Sequence, residues 1–472
     1  MTAWLPDLIF TGGRFQSGLA LVCDQNGTIT SLTQANQIDD DLIHLKKRAL
    51  LPGLVNAHSH AFQRVIRGRT EHRTGAGQDS FWTWREAMYS AATHLTPEDV
   101  YDASRMAFLE MLLGGITAVG EFHYLHHAPD GTPYDDPNLI AREVVRAASD
   151  AGLRIALLRV AYARSGYDTE SNPRQARFIE TDAEDFLRHV DKLKSDLAHR
   201  EGRAWVGVAP HSVRAVPLAY LKQVVRYAHE QQLPVHMHVA EQQAEVSVCI
   251  QEYGRSPVAL LETEGLLSDR FTAVHAIHVT PKSIHALAQA RATVCACPTT
   301  ERNLGDGVVP VDLFFKDDLR VALGTDSHVE IDLLEDAREL EYHLRLQKMQ
   351  RAVLASDRSP TLRDNALAED RASALAARLF DCATRNGAES IGAPGGSLET
   401  GRAADFFTVD LNDPSIAGTD GDDLLTNIVF SLSRTAVRDV VVGGKQIVSE
   451  GKYADQEEIV ERFNALQKRL WN

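Results

Sequence analysis

The feature that most constrains the fold of this 472-residue chain is an alternation of short apolar runs with longer amphipathic stretches between about residues 53 and 390. Helix signals lie between the runs. In residues 96–115, Thr96 is a predicted N-cap, Pro97 opens the helix and Gly114 closes it. Eight strands, each followed by helical sequence, predict an α/β fold, a TIM-like parallel (β/α)8 barrel. The eight runs are ALLPGLVNAH, ITAVGEFHY, RIALLRVAY, AWVGVAPHS, LPVHMHVAE, FTAVHAIHV, ATVCACPTT and RVALGTDSH.

Both ends of the chain break this alternation. Residues 1–50 and 395–455 contain short strand-like segments separated by Gly and Asn turns, and the two glycines of VVGGKQIV predict a tight hairpin. We therefore expect one small β-sandwich domain built from both termini, with the barrel over residues 51–394. Residues 456–472 predict a C-terminal surface helix.

The bulk composition excludes several classes of partner. The net charge of −16 repels nucleic acid and anionic membrane surfaces. No apolar run reaches the roughly 18 residues that a membrane span needs, and the N-terminus lacks the features of a signal peptide. Five scattered cysteines favour a reducing compartment. We expect a cytoplasmic protein that acts on a small molecule, with no nucleic-acid or membrane partner.

Histidine or carboxylate side chains end nearly every predicted strand. His58 and His60 follow the first run two residues apart, so on a strand their imidazoles point to the same side. His238 and Asp326 follow the fifth and eighth runs, and the C-terminal ends of barrel strands converge over the barrel axis. The other strand ends carry Glu121, His123, His211, His236, Glu241, His275, His278 and His328. This clustering predicts a metal site at the barrel mouth.

The ligand types indicate which metal is expected. Nitrogen and carboxylate ligands without cysteine suit Zn²⁺, with Fe²⁺ as the alternative, and leave a position for water. The predicted ligands are His58, His60, His238 and Asp326. A second metal would need a bridging group such as a carboxylated lysine after strand four, and AWVGVAPHSVRAV contains no lysine. We therefore expect one divalent metal per chain. Cys295 and Cys297 are interpreted as buried strand residues instead of ligands.

Several motifs resemble those of a known family. The runs PGLVNAHSH, HMHVAE, VHAIH and GTDSH are similar to the amidohydrolase superfamily, in its mononuclear deaminase branch, over essentially the whole chain. More narrowly, HSHAFQR, DSFWTWRE, EFHYLHH, PHSVRAV, HVAEQQ and NLGDG resemble the formimidoylglutamate deiminases. Asn56 departs from the aspartate that is usual in PGL(V/I)DxHxH, but that position is not a ligand.

The resemblance implies a reaction and roles for three residues. The reaction is metal-dependent hydrolysis of N-formimidoyl-L-glutamate to N-formyl-L-glutamate and ammonia, in histidine degradation, with the metal acidifying the attacking water. Asp326 would be both ligand and general base, and Glu241 would carry a proton to the substrate nitrogen, as a non-ligand glutamate does in zinc deaminases. His275 would stabilise the charge that develops in the tetrahedral intermediate. Barrels of this type often form homodimers, so a homodimer is also expected.

The resemblance also assigns the substrate contacts. A dicarboxylate substrate in so acidic a protein needs local arginines, whose planar forks match carboxylates bidentately. Arg85 lies in DSFWTWRE, interpreted as an aromatic-rich loop that could cover the site. Gln63 would lie near the formimino group. The residues assigned to the glutamate portion are Arg85, Tyr124, His211 and Arg214.

Two other functions compete with this interpretation. A metal-free homologue could serve as a binding or scaffold protein, but such relatives typically lose metal ligands, and here all four predicted ligands are present. A deaminase of a purine or another aromatic heterocycle would use the same metal site. The paired arginines at the mouth favour a dicarboxylate over a neutral base.

Overall fold

In a computed structural model, the chain forms a β/α barrel joined to a second sheet. The structure describes residues 1–38, 42–73, 79–200, 202–355, 374–419 and 421–471. The N-terminal strands are β1 (Thr2–Thr11), β2 (Arg14–Gln16), β3 (Leu19–Cys23), β4 (Ile29–Gln34) and β5 (Leu42–Pro52). The barrel strands are β6 (Leu54–Ser59), β7 (Ile116–His123), β8 (Arg154–Ala161), β9 (Ala204–Pro210), β10 (Val235–Val239), β11 (Phe271–His275), β12 (Thr293–Ala296) and β13 (Arg320–Leu323). The C-terminal strands are β14 (Phe406–Asp410), β15 (Val437–Val442), β16 (Lys445–Ser449) and β17 (Lys452–Tyr453).

The barrel strands lie in chain order in one parallel sheet, from β6 to β13. The last strand returns to the first, where a bridge pairs Ser59 with Asp326. This junction between β6 and the residues after β13 is called here the seam. Asn56 also stabilises it, because its Nδ2 donates to Thr325 Oγ1 at 2.7 Å and its Oδ1 accepts from the Thr325 N–H at 3.1 Å. The predicted (β/α)8 barrel is confirmed, and Asn56 helps to close it.

The second sheet brings the two ends of the chain together. Its strand order is β17-β16-β15-β14-β5-β1-β3-β4, with β2 paired to β1. β5 lies in the middle, parallel to β1 and antiparallel to β14. The sheet has its own apolar core, in which the rings of Trp4 and Phe406 meet edge-on at 5.1 Å. The predicted β-rich domain from both termini is confirmed, as one connected sheet in the part of the chain that the structure describes.

Helices follow most of the barrel strands, and a last helix ends the chain. Among the residues that the structure covers, none of the helices is long and apolar enough to cross a membrane. The helices are α1 (Phe81–Ala92), α2 (Pro97–Leu113), α3 (Leu139–Ala151), α4 (Ala183–Leu197), α5 (Leu218–Glu230), α6 (Gln243–Tyr253), α7 (Pro257–Thr263), α8 (Pro281–Gln289), α9 (Pro298–Leu304), α10 (Val311–Lys316), α11 (Leu333–Lys348), α12 (Ala374–Ala383), α13 (Arg385–Ile391), α14 (Leu424–Ser431) and α15 (Gln456–Trp471).

The structure confirms the predicted bounds of one helix and corrects the interpretation of another segment. α2 begins at the predicted Thr96 cap, whose side chain accepts from the Asp99 N–H, and ends at Gly114. The segment with Arg85 is a helix, α1, and the loop interpretation was wrong. Ser80 and Thr83 form a reciprocal capping box that starts this helix.

A buried ion pair joins the barrel to the second sheet. Arg154, at the start of β8, donates from Nε to Asp405 Oδ2 at 2.6 Å and from Nη2 to Oδ1 at 3.1 Å. The Gly443 N–H donates to the same Oδ1 at 2.6 Å. The Asp405 side chain is 0% exposed and that of Arg154 only 5%. The ion pair therefore holds the second sheet against the N-terminal ends of the barrel strands. The polar residues lie at the opposite, C-terminal ends of these strands.

Replacing Asp405 should destabilise the fold. Asp405→Ala leaves the Arg154 guanidinium buried without its counter-charge, a cost of about 3–5 kcal/mol. Thermal unfolding should show a clearly lower Tm. The matched control is Arg385→Ala, which removes an exposed pair with Glu399 and should cost less than about 1 kcal/mol. Equal Tm losses in both variants would contradict this role.

Candidate metal centre and active site

Four metal-ligating side chains meet at the C-terminal mouth of the barrel. His58 lies on β6, His60 directly after it, His238 on β10 and Asp326 just beyond β13. One ligand atom from each lies within 4.8 Å of the others, and all four residues are buried. The four predicted metal ligands are therefore brought together, as the convergence of barrel strand ends requires.

Backbone carbonyls orient two of the imidazoles. His60 Nδ1 lies 2.9 Å from the Phe122 carbonyl oxygen, and His238 Nδ1 lies 3.1 Å from that of His211. Each Nδ1–H thus donates to a carbonyl, which leaves Nε2 as the ligating nitrogen. Neither ring nitrogen of His58 has a hydrogen-bond partner although the residue is fully buried. Burying a polar nitrogen without a partner costs free energy, and a bound cation would satisfy one of these two nitrogens.

The protonation states of the cluster suit a divalent cation. Burial lowers the pKa of His58 to about 3, and burial also holds the pKa of His238 well below its usual range. For Asp326, burial acts to raise the pKa, but the adjacent imidazoles of His58 and His60, whose Nε2 atoms lie 3.4 Å and 3.2 Å from Asp326 Oδ1, hold the pKa well below its ordinary value. Neutral imidazoles with one carboxylate form a ligand set for Zn²⁺ or a similar ion.

His275 stands between two carboxylates beside this cluster. Its Nε2 is 3.8 Å from Glu241 Oε1 and 3.8 Å from Asp326 Oδ2, and it has no hydrogen-bond partner. Its Nδ1 lies 3.1 Å from Glu301 Oε1, which also accepts from the Cys297 N–H at 2.9 Å. Glu301 therefore orients His275 so that Nε2 faces the space above the metal ligands. Burial raises the pKa of Glu241 well above its usual value, so this carboxyl can hold a proton near neutral pH.

A further group could itself be taken for a metal site. Ligand atoms of His275, Cys297 and Glu301 also lie within 4.8 Å of one another. However, Glu301 already accepts hydrogen bonds in this group, and Cys297 follows β12 as a buried free thiol. The three residues are best explained as support for His275, in agreement with the interpretation of Cys295 and Cys297 as buried residues.

A pocket opens beside His238, one of the predicted metal ligands. α1 contributes part of its wall, and the Arg85 guanidinium lies over the Trp82 ring at 4.5 Å from the ring centroid. Arg85 Nε and Arg214 Nη1 are buried without a hydrogen-bond partner. The lining residues are Phe81, Trp82, His211, Ser212, Arg214, His238, Glu241, Gln242 and Glu245. Two guanidinium groups with unsatisfied donors beside a cavity favour an anionic ligand.

The remaining predicted residues surround the same mouth. Gln63 Nε2 donates to Tyr124 OH at 2.8 Å, and Gln63 Oε1 is buried without a partner. The Tyr124 ring lies 5.2 Å from that of His60, and the His211 ring 4.9 Å from that of His238. The structure thus gathers every predicted site residue at one end of the barrel.

Sequence reasoning missed several residues that shape the site. Glu301 orients His275, and Glu245 accepts from the Glu241 N–H at 3.2 Å. Glu245 lies one helical turn after Glu241, and this spacing is the signal that could have identified it. No local pattern distinguishes Glu301 from other carboxylates on a helix. His328, which ends the eighth run, contacts Ser59 Oγ and Thr325 Oγ1 and supports the seam.

Comparison with known proteins decides the family. A model described as the amidohydrolase family matches residues 49–447 of the chain. The chain belongs to the amidohydrolase family. It is 39% identical over 416 residues to formimidoylglutamate deiminase of Pseudomonas aeruginosa, which covers 88% of each chain. It is 28% identical over 440 residues to a 5-methylthioadenosine/S-adenosylhomocysteine deaminase of Syntrophomonas wolfei, covering 91% of this chain and 89% of that one.

A solved structure supports the same assignment over the full length. The crystal structure of an amidohydrolase from Brucella melitensis matches 100% of both chains, with a TM-score of 0.89 at 34% identity. The predicted family and the predicted fold are therefore confirmed. As an amidohydrolase, the chain is a hydrolase of C–N bonds, and its cluster of three histidines and one aspartate fits the metal dependence of this family.

Loss of a ligand should remove the metal. His238→Ala and His58→Ala each leave an incomplete ligand set, so purified protein should contain far less than one divalent metal per chain by elemental analysis. His94→Ala is the control, because His94 is exposed and its ring nitrogen contacts only local groups on α1. A His238→Ala protein with full metal content would contradict the assignment.

Proposed function

We propose that this amidohydrolase hydrolyses the formimino C=N bond of N-formimidoyl-L-glutamate, leaving N-formyl-L-glutamate and releasing ammonia, as a step of histidine degradation. The observation that carries the proposal is the pair Arg85 and Arg214, with buried unpaired donors beside a metal-ligand cluster. The formimidoylglutamate deiminase of Pseudomonas aeruginosa, 39% identical, supports it.

The donor set supports a single Zn²⁺, with Fe²⁺ as the alternative, held by His58, His60, His238 and Asp326. When bound, the metal supplies Lewis acidity, which lowers the pKa of a water so that it can attack near neutral pH. Backbone carbonyls aim the imidazoles of His60 and His238, so the protein would hold this geometry before substrate arrives.

Two side chains would transfer protons, and a third would stabilise the developing charge. Asp326 accepts a proton from the attacking water as its oxygen bonds to the formimino carbon. Glu241, whose raised pKa lets it hold a proton, protonates the nitrogen that leaves as ammonia. His275 Nε2, which faces both carboxylates at 3.8 Å, stabilises the negative charge that develops on the attacking oxygen. Breaking the C–N bond then forms the C=O bond of the formyl product, and the hydroxyl proton released in this step returns Glu241 to its protonated form.

The substrate would lie along the cavity, with its formimino group over the metal ligands. Gln63 has a free buried carbonyl oxygen that can accept from the formimino N–H, and its amide is held by Tyr124. His211 lies between the metal ligands and Arg214, and Arg214 with Arg85 pairs with the carboxylates. These two guanidinium groups create a local positive field, which overcomes the overall charge of −16 for an anionic ligand.

A second candidate is deamination of a nucleoside or another heterocycle. It is favoured by Phe81 and Trp82, which line the cavity and could stack on a base, and by the nucleoside-related deaminase of Syntrophomonas wolfei. Buried guanidinium groups without partners disfavour a neutral base. An assay of ammonia release from formimidoylglutamate against guanine, 8-oxoguanine and adenosine discriminates between the two functions.

Two further parts of the proposal concern the cellular location and the oligomeric state. All five cysteines are free and buried, which supports a reducing compartment and a cytoplasmic location. The homodimer stays a prediction, to be tested by the solution mass of the purified protein.

Glu241→Gln should retain the metal but lose turnover. The substitution keeps the side-chain shape and removes the transferable proton, so kcat should fall by about 10²–10⁴. The control is Glu230→Gln, at the exposed end of α5, which should leave kcat unchanged. A near-wild-type kcat in Glu241→Gln would remove Glu241 from the reaction.

The arginines should determine preference for a dicarboxylate. Arg214→Ala and Arg85→Ala each leave a substrate carboxylate poorly paired, a cost on the order of 2–5 kcal/mol in transition-state binding. Arg214→Lys should also impair kcat/KM, because a point charge does not reproduce the fork. Metal content should not change. Wild-type kcat/KM on formimidoylglutamate in both alanine variants would favour the heterocycle deaminase.

A further inference from the structure

A second hydrogen-bonded group lies beside Arg214, formed by Tyr89, Tyr162 and Gln175, and is called here the hydroxyl cluster. Gln175 lies on a 3-10 turn, Pro173–Phe178, after β8. Its Nε2 donates to Tyr89 OH at 2.9 Å and also to Tyr162 OH. All three residues are at most 2% exposed. The metal ligands and the proton-transfer residues make no use of this cluster.

The hydroxyl cluster packs against His211, which lines the pocket. The Tyr162 ring is 4.6 Å from that of His211, which in turn lies 4.9 Å from the ring of the ligand His238. Arg214, which also lines the pocket, interacts electrostatically with both phenols, and the Arg85 guanidinium lies over the Tyr89 ring, 5.3 Å from the ring centroid. The cluster therefore stands beyond His211, on the side away from the metal ligands.

The cluster has more hydrogen-bond donors than acceptors. Gln175 Nε2 donates to both phenol oxygens, so these oxygens already accept. Even where Tyr89 donates to Tyr162, the Tyr162 O–H has no acceptor among the described residues. Arg214 Nη1 and Arg85 Nε also lack acceptors. Buried donors in such excess favour a ligand that supplies acceptors and negative charge.

The carboxylates near this group do not accept hydrogen bonds from its unpaired donors. Glu245 affects Arg214 electrostatically, but its Oε2 accepts from the Glu241 N–H, and neither its Oε1 nor Arg214 Nη1 has a hydrogen-bond partner. Arg85 Nη2 is 3.9 Å from Glu86 Oε1, beyond hydrogen-bond distance, and the Glu86 side chain is 45% exposed. The donors that face the cavity thus remain available to a ligand.

We propose that Tyr89 and Tyr162, with Arg85 and Arg214, bind the side-chain carboxylate of the substrate, and that Gln175 is a positioning residue that holds both phenols. The inference rests on the proposed function and deepens it. With the formimino group at the metal ligands, the carboxylate on the longer arm of the substrate reaches beyond His211. The phenol hydroxyls donate to that carboxylate, and Gln175 fills their acceptor sites so that their hydrogens point outward.

Kinetics on formimidoylglutamate test the cluster. Tyr89→Phe, Tyr162→Phe and Gln175→Leu should each lower kcat/KM about ten- to a hundredfold, because each weakens hydrogen bonds to a charged group. The loss should lie in KM with kcat kept, since the cluster is remote from the reacting atoms. Gln175→Glu should lose more, because it adds a negative charge there. The control is Tyr220→Phe, a buried tyrosine whose hydroxyl has no partner, which should behave as wild type.

Two substrate analogues identify the carboxylate. On formimidoylglutamine, which lacks the side-chain carboxylate, the penalty of the three variants should vanish. On formimidoylisoglutamine, which lacks the α-carboxylate, it should persist. An equal penalty on both analogues, a penalty lost only on formimidoylisoglutamine, or wild-type KM in all three variants would overturn the proposal.

A binding measurement separates this proposal from the proposed function. If the wild-type holoenzyme releases no ammonia from formimidoylglutamate, the proposed function fails. Calorimetric titration with glutarate then still tests the cluster, with about tenfold weaker binding expected in Tyr162→Phe. Metal content and Tm like those of the wild type in each variant exclude loss of the fold as the cause. Unchanged glutarate affinity in Tyr162→Phe would overturn the cluster whichever reaction the enzyme catalyses.

Discussion

The seam between β6 and β13 is the interaction on which the rest of the site depends. The Asp326 N–H donates to the His58 carbonyl at 3.1 Å, and the His60 N–H donates to the Asp326 carbonyl at 3.1 Å. These backbone hydrogen bonds close the barrel and in the same step place the Asp326 carboxylate against two imidazoles. Closure of the fold and assembly of the metal site are therefore one event, and Asn56 reinforces both through Thr325.

The strand ends at the mouth hold unusual backbone conformations. Ala240, His275 and Asp326 have positive φ values of 53°, 69° and 42° without being glycine. Such conformations cost of order 1–3 kcal/mol each and persist where the surrounding structure imposes them. Here each one turns the chain at the end of a strand, so that the side chains of His275 and Asp326, and of Glu241 just after Ala240, face one space. The stability of the barrel thus supports a geometry that its active site needs.

The charge distribution explains how an acidic protein can take an anionic substrate. Its net charge of −16 acts at long range and is screened by salt. In the proposed function, Arg85 and Arg214 would act at contact distance, where burial strengthens pairing with a carboxylate. Specificity for a dicarboxylate would then depend on a few donors in one pocket, and the overall charge would have little influence on it.

Much of this protein could be predicted from local pattern. The alternation of apolar runs determined the barrel, because a repeated strand and helix can bury both apolar faces only in a few arrangements. The His58 and His60 pair could be interpreted from strand periodicity, because side chains two residues apart share a face. The loop interpretation of the segment around Arg85 was wrong, because the capping box of Ser80 and Thr83 starts a helix there.

The fold class, the family and the four candidate metal ligands followed from the sequence alone, because periodicity and residue type are local properties. The tertiary structure alone decided which distant residues meet. Glu301 orients His275, and Gln175 contacts Tyr89 across 86 positions of the chain. Such polar contacts have no periodic signal, since each comes from a loop or helix whose place is set only when the barrel closes. The physical reason is that strand and helix spacing specifies the face on which a side chain lies, but packing specifies its partner.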